Sequence, residues 1–126
     1  MAVRQPLDDK VRDALSRATT VVDISTTGRK SGKERRIEIV MHSIDGRLYI
    51  SGQPSRQRRS WLANLDANPK FTLHVKRGAR ADLPATAREI TEPKERRQVL
   101  EEVAKHWKRD DVDTMVQYSP LIEVMV

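Results

Sequence analysis

The chain changes its hydrophobic period several times along its length. In PLDDKVRDALSRA (residues 6–18), Leu7, Val11, Ala14, Leu15 and Ala18 recur at three- and four-residue spacing, one face of a helix. Asp8 and Asp9 fall in its first turn, where the helix dipole favours negative charge. TTVVDIST (19–26) then reads as a strand, and ERRIEIVMHSI (34–44) as another, with Ile37, Ile39 and Met41 alternating with Arg36, Glu38, Val40 and His42. Asp45-Gly46 signals a tight hairpin, because both central residues of that turn need positive φ, and it leads into a third strand, RLYIS. SWLANLDANP (60–69) predicts a short helix with Trp61, Leu62 and Leu65 on one side, stopped by Asn68-Pro69.

Alternation returns in FTLHVKR (71–77), where Phe71, Leu73 and Val75 face one way and Thr72, His74 and Lys76 the other. ADLPATAREIT (81–91) is a further strand. Its Pro84 belongs at an edge or bulge, since it has no N–H to donate. TEPKERRQVLEEVAKHWKR (91–109) predicts the longest helix, capped by Thr91, with Pro93 in the first turn and Val99, Leu100, Val103 and Trp107 as the buried stripe. DDVDTMV reads as a brief helix and PLIEVMV as a closing strand. The fold class is therefore mainly β with flanking helices (α+β). Short connections make the sheet antiparallel, and about six short strands with few covering helices favour closure into a barrel, which removes exposed edges. Repeats and linkers are absent, so residues 1–126 read as one domain, with an N-terminal helix over 1–19 and the barrel and its helices over 20–126.

Charge adds a constraint that the pattern does not. Lys and Arg number 24 against 18 acids, a formal charge of +6, which favours an anionic partner. Aromatics make up only 4% of the residues, a poor supply for stacking single-stranded bases. There is no cysteine, which excludes disulfides, thiolate metal sites and a cysteine nucleophile and agrees with a cytoplasmic setting. No apolar run approaches the roughly 20 residues of a membrane span, and MAVRQPLDDKVRD lacks the apolar core of a signal peptide.

The candidate chemistry gathers in TTGRKSGKERR (26–36), between the first two strands. It is not a P-loop: Thr27 stands where that motif needs its first glycine, and Lys33 is followed by Glu34. No G-x-G-x-x-G occurs either. Gly28 and Gly32 free the backbone to turn N–H groups toward an anion. Thr26, Thr27 and Ser31 add hydroxyls, Arg29 a planar fork and Lys30 a point charge. On these residues alone a phosphate cradle and a solvated basic turn stay equally open. A second basic segment, PSRQRRSW (54–61), puts Arg56, Arg58 and Arg59 just before a helix N-terminus. It weighs against solubility as the explanation and suggests an elongated anion, with Trp61 either core or a wall for a flat ring. His42, His74 and His106 are far apart in sequence, His42 and His74 on polar strand faces, so neither a metal site nor a local catalytic motif is indicated.

TTGRKSG on a strand-to-strand turn, followed about thirty residues later by WLANLDANPK and an alternating strand, resembles the deazaflavin-dependent nitroreductase family. Those proteins are split β-barrels related to the FMN-binding, pyridoxamine-oxidase-like barrels. The resemblance implies an oxidoreductase that uses coenzyme F420, a deazaflavin with a phosphate and an oligoglutamate tail, to pass a hydride to a quinone, an enone or enoyl group, or a nitro compound. It implies a phosphate grip at Gly28, Arg29, Lys30 and Ser31, with Thr27 and Gly32 beside them as further cofactor-binding candidates, and a ring-side segment at Ser51, Gly52, Gln53 and Trp61. Lys33, Arg35, Arg36, Arg56, Arg58 and Arg59 are the candidates for the tail. The implied partner is a small-molecule acceptor, with no nucleic acid and at most peripheral membrane contact, in a monomer or homodimer. One departure bears on the acceptor. The family's nitroreductases line their substrate pocket with tyrosines, whereas IEIVMHS carries no aromatic and Tyr118 is the only tyrosine in the C-terminal third. FMN in the same barrel is the alternative cofactor, and a basic nucleic-acid-binding module is the alternative of another class.

Overall fold

A computed structural model describes residues 8–126. Six strands, β1 (Thr19–Thr27), β2 (Glu34–Ile44), β3 (Arg47–Ser51), β4 (Lys70–Val75), β5 (Ala81–Glu89) and β6 (Leu121–Met125), close into one barrel in the order β1-β2-β3-β6-β5-β4. Every pairing is antiparallel. Helices α1 (Asp9–Leu15), α2 (Ser60–Ala67), α3 (Pro93–Trp107) and α4 (Val112–Tyr118) cover it.

The turn chemistry explains the register. Asp45 (φ 51°) and Gly46 (φ 77°) both adopt the left-handed region that the β2–β3 hairpin requires. Pro84 pairs with Thr72 of β4, while the pairing of β5 with β6 begins only at Thr86. Its missing N–H therefore falls where β5 has a neighbour on one side only. Pro6 and Leu7 of the predicted first helix lie outside the described residues. Asp8 caps α1 by accepting the Lys10 N–H at 2.8 Å, and Ser16 Oγ donates to the Asp13 carbonyl at 2.7 Å to end it. The apolar stripe stops at Leu15; Ala18 is exposed as the chain enters β1. In α3 the cap is Glu92 rather than Thr91: the Glu92 carboxylate accepts the N–H groups of Lys94 and Glu95, two donors that a hydroxyl could serve only singly.

Two apolar clusters result. One fills the barrel with Val22, Ile24, Met41, Ile50, Leu73 and Ile122, closed by Val11 and Leu15 of α1 and by Trp61, Leu62 and Leu65 of α2. The other holds α3 and α4 on the outer wall through Tyr49, Ile90, Leu100, Val103, Met115 and Leu121. Arg96 of α3 joins the helices: its guanidinium donates to the carbonyls of Val116 and Ser119, acceptors that the end of α4 leaves open, and to that of Ile90 after β5, at 2.6–2.9 Å.

The histidines do not follow the predicted polar faces. His42 is fully buried beneath α3, stacked on His106 at 5.1 Å between ring centroids and edge-on to Trp107 at 5.0 Å. Its Nδ1 lies 2.9 Å from Nδ1 of His106, and its Nε2 has no partner. Orphaned buried donors are rarer than orphaned acceptors, so the favoured tautomer has His42 Nδ1–H donating to His106. His74 is also buried, between Ser25 Oγ at 2.7 Å and Asp82 Oδ1 at 2.6 Å.

Burial, reinforced by the neighbouring His106, pushes the His42 pKa from 6.5 down to about 4. Between those pH values the unfolded chain takes up a proton that the folded chain refuses. The contribution is whole above pH 6.5 and is lost as the pH falls towards 4. We predict a loss of about 3 kcal/mol over that window, read by urea unfolding at pH 7 and pH 4.5. His42→Leu should flatten this part of the profile, and an unchanged profile in that variant would refute the assignment.

Candidate functional site: a basic cleft between the first hairpin and α2

Residues 28–33 connect β1 to β2 beyond the last paired residues, Thr27 and Glu34. The loop is closed by its own backbone: Gly28 N–H donates to the Lys33 carbonyl at 2.8 Å, and Gly32 N–H to the Gly28 carbonyl at 2.8 Å. Ser31 Oγ accepts from Lys33 N–H at 3.1 Å. Gly32 takes φ +71°. A Cβ on Gly28 would stand 2.7 Å from Ser31 Oγ and 3.1 Å from the Lys33 carbonyl oxygen, so only glycine fits the fold of this turn. The glycines thus shape the loop and spend their own N–H groups inside it. Among the described residues, the loop N–H groups without a protein acceptor are those of Lys30 and Ser31.

The loop is pinned from behind by a residue that sequence reasoning missed. Asn64 on α2 is buried at 4% exposure. Its Oδ1 accepts from both the backbone N–H of Arg29 (3.2 Å) and the Arg29 guanidinium Nη1 (2.9 Å), and its Nδ2 donates to Thr26 Oγ1 at 3.2 Å. One amide therefore fixes the main chain and the side-chain fork of Arg29 together. The available signal was an asparagine inside a short amphipathic helix, where it is intrinsically unfavourable and so calls for a partner.

Between this loop and α2 lies a cleft of about 420 Å³, walled by Arg29, Lys30, Ser31, Arg35, Ile37 and Trp61 and completed by Gly28, Ser60, Thr26 and Asn64. No carboxylate lines it. Among the described residues Arg29, Lys30 and Arg35 form no ion pair. Its floor meets the first turn of α2, whose N-cap residue Arg59 supplies no side-chain acceptor, so the helix end keeps its positive character toward the cleft. Trp61 is at once core, at 8% exposure, and part of the cleft wall. Of the other cations near the turn, Arg36 is bound to Asp23 at 3.0 Å, within a surface network in which Lys76 bridges Asp23 and Glu38. Thr27, Gly32 and Lys33 belong to the hairpin without lining the cleft.

The second basic segment is not on this face. Arg58 is held bidentately by Glu89 at 2.9 and 3.1 Å, which raises its pKa chiefly through those hydrogen bonds. Arg59 donates to the Gln53 carbonyl at 2.7 Å. Ser51 is buried, its Oγ donating to the Pro120 carbonyl at 2.7 Å. A Cβ on Gly52 would meet Arg59 and Pro120 at 3.1 Å. Ser51, Gly52 and Gln53 therefore brace Arg59 and the start of β6, on the opposite side of α2 from the hairpin loop.

The donor set of the cleft suits a phosphate: an oriented guanidinium, an ammonium, a hydroxyl and two adjacent N–H groups, with no competing acid. A closed six-stranded barrel carrying such a cleft beside its first hairpin is the class of split-barrel flavin and deazaflavin reductases. The chain belongs to the F420H(2)-dependent quinone reductase family, whose pattern matches residues 5–126. It is an oxidoreductase, and its cofactor is coenzyme F420, so the FMN alternative gives way. A solved F420-H2 dependent reductase is 25% identical over 83% of this chain and 93% of its own, with a TM-score of 0.61. A conserved hypothetical protein from Mycobacterium tuberculosis shares the fold at 17% identity and a TM-score of 0.68, covering 98% of this chain and 86% of its own. A structure described as a domain-swapped dimer shares it at 23% identity and a TM-score of 0.63, covering 83% of this chain and 79% of its own.

Gly28→Ala is expected to lower the unfolding free energy by about 1–3 kcal/mol, because the Lys33 carbonyl must move to admit the methyl group. Chemical denaturation measures this, and a neutral result would show that the loop is not closed as described.

Proposed function

We propose that this chain holds F420 with its phosphate on Arg29, Lys30 and Ser31 and reduces a small organic acceptor such as a quinone, an enone or enoyl compound, or a nitro compound. The observation that carries the reading is the clamp of Asn64 on Arg29 in a cleft with three cations and no acid. When bound, the reduced cofactor supplies a hydride. The protein's own contribution is binding, orientation and exclusion of water.

Arg29 presents its fork already ordered, so less rotamer entropy is lost when a phosphate binds. Lys30 adds charge, and the N–H groups of Lys30 and Ser31 add direction. Gly28 lets the loop fold tightly enough for all of these to point into one cleft. Trp61, immobilised in the barrel core, offers a rigid apolar surface for the flat ring system. Arg35 at the cleft wall and Lys33 in the adjoining turn are the cations that would meet the glutamate carboxylates. Ser51, Gly52, Gln53, Arg58 and Arg59 act at one remove, by setting the position of the α2 N-terminus beside the ring.

Each lost charge-assisted hydrogen bond is worth roughly 1.5–3 kcal/mol. Arg29→Ala combined with Lys30→Ala should therefore weaken F420 at least tenfold, while circular dichroism and melting stay close to wild type, since both side chains are exposed. Unchanged affinity in the double variant would overturn the assignment of the phosphate site.

A further inference from the structure

A second recess, of about 330 Å³, borders α2 and shares no residue with the phosphate cleft. Four arginines line it, Arg56, Arg58, Arg59 and Arg96, against one carboxylate, Glu89. Both oxygens of Glu89 are taken by Arg58. Among the described residues Arg56, Arg59 and Arg96 form no ion pair. Three positive charges therefore line one recess without a counter-charge from the protein.

Arg96 is the residue that separates this from a solvated arginine patch. It is half-buried, and its guanidinium donates to the carbonyls of Ile90, Val116 and Ser119 at 2.6–2.9 Å. Those bonds fix its orientation but neutralise no charge. Burial lowers its pKa from the ordinary value, opposed by the charge of Glu89. A cation held in this way costs free energy that an incoming anion recovers. The other walls are fixed as well. Arg56 lies 5.6 Å over the ring of Tyr118, which leaves the edge of its fork free. Ser55 N–H donates to the Tyr118 carbonyl at 3.1 Å, tying the arginine segment to the end of α4, and the Arg58–Glu89 fork ties it to β5.

We infer that this recess is a second anion site, separate from the cofactor's, and that its ligand is a phosphate monoester. A carboxylate would neutralise one of the three charges. A phosphate monoester carries about −1.5 to −2 at neutral pH and brings three acceptor oxygens. The fork of Arg56 suits two of those oxygens, and Thr91 and Gln117 add neutral donors in the same wall. A soluble phosphate ester and a lipid headgroup present the same oxygens, so the site's chemistry is common to both. The inference does not depend on the assignment of the hairpin cleft.

The test titrates glycerol 1-phosphate into the full chain and follows amide resonances. Shifts are expected at Gln57, Gln117 and Tyr118, distinct from any at Lys30 and Ser31. Arg56→Ala should weaken binding at the recess at least threefold, and Arg56→Lys should restore part of it. Gln117→Glu, which adds a carboxylate to the wall, should weaken it at least tenfold. No shift at the recess at millimolar ligand, or an undiminished one in Gln117→Glu, would overturn the proposal. A second arm distinguishes the sources, using phosphatidylcholine vesicles with and without phosphatidic acid. Binding that needs both phosphatidic acid and Arg56 supports the site with a lipid headgroup as its ligand. Binding of glycerol 1-phosphate without vesicle binding supports it with a soluble ester. A third arm adds F420, with and without its glutamates, to the protein loaded with glycerol 1-phosphate. Displacement from the recess by the glutamate-bearing form alone would assign the recess to the cofactor's tail and refute the proposal. A recess that responds while F420 fails to bind supports the second site and counts against the hairpin cradle alone.

Discussion

The site depends on one buried amide. Asn64 couples α2 to the first hairpin by accepting twice from Arg29 and donating once to Thr26. Without it the β1–β2 loop would be a basic turn in water, its arginine sampling many rotamers and its backbone free to move against the helix. With it, α2, the loop and the strand before it become one rigid cradle. The cost of burying an asparagine in a short helix is offset because both ends of its amide find partners, three hydrogen bonds in all.

The barrel makes that coupling possible. Closure brings β1 next to β4 as well as β2, and α2, which carries the chain from β3 across to β4, packs Trp61, Leu62 and Leu65 onto the same core that β1 lines. The helix cannot shift without disturbing those three side chains. It is held toward the loop through Asn64, and the residues leading into it are held to β5 by Arg58 on Glu89 and to the Gln53 carbonyl by Arg59.

The architecture was legible in the sequence because its determinants are local. Asp45-Gly46, Asn68-Pro69 and the alternation of Ile37, Ile39 and Met41 each decide a turn, a stop or a face within a few residues, and short connections imply the antiparallel sheet, whereas the β1–β4 and β3–β6 pairings that close the barrel join strands distant in the chain. The gathering of cations in the basic turn was legible from its composition, and the structure sets Arg29, Lys30 and Arg35 on a cleft that no carboxylate lines. What stayed hidden were contacts between residues distant in the chain. His42 looks solvated by alternation, and only the docking of α3 buries it against His106, 64 residues away. Arg58 looks like a free cation until β5 presents Glu89. The N–H groups of Gly28 and Gly32 look available until the loop closes on itself. Asn64 gave a local hint in its poor helix propensity, but its partner, 35 residues earlier, could not be read from that hint.

In the proposed function a preorganised phosphate cradle anchors the cofactor. The most direct measurement compares the affinity of F420 with that of its bare deazaflavin chromophore, which lacks phosphate and glutamates, in wild type and in Asn64→Ala. The account predicts that wild type binds F420 at least a hundredfold more tightly than the chromophore, and that most of this advantage disappears in Asn64→Ala while chromophore binding holds. An Asn64→Ala protein that is folded and keeps the full advantage would contradict it.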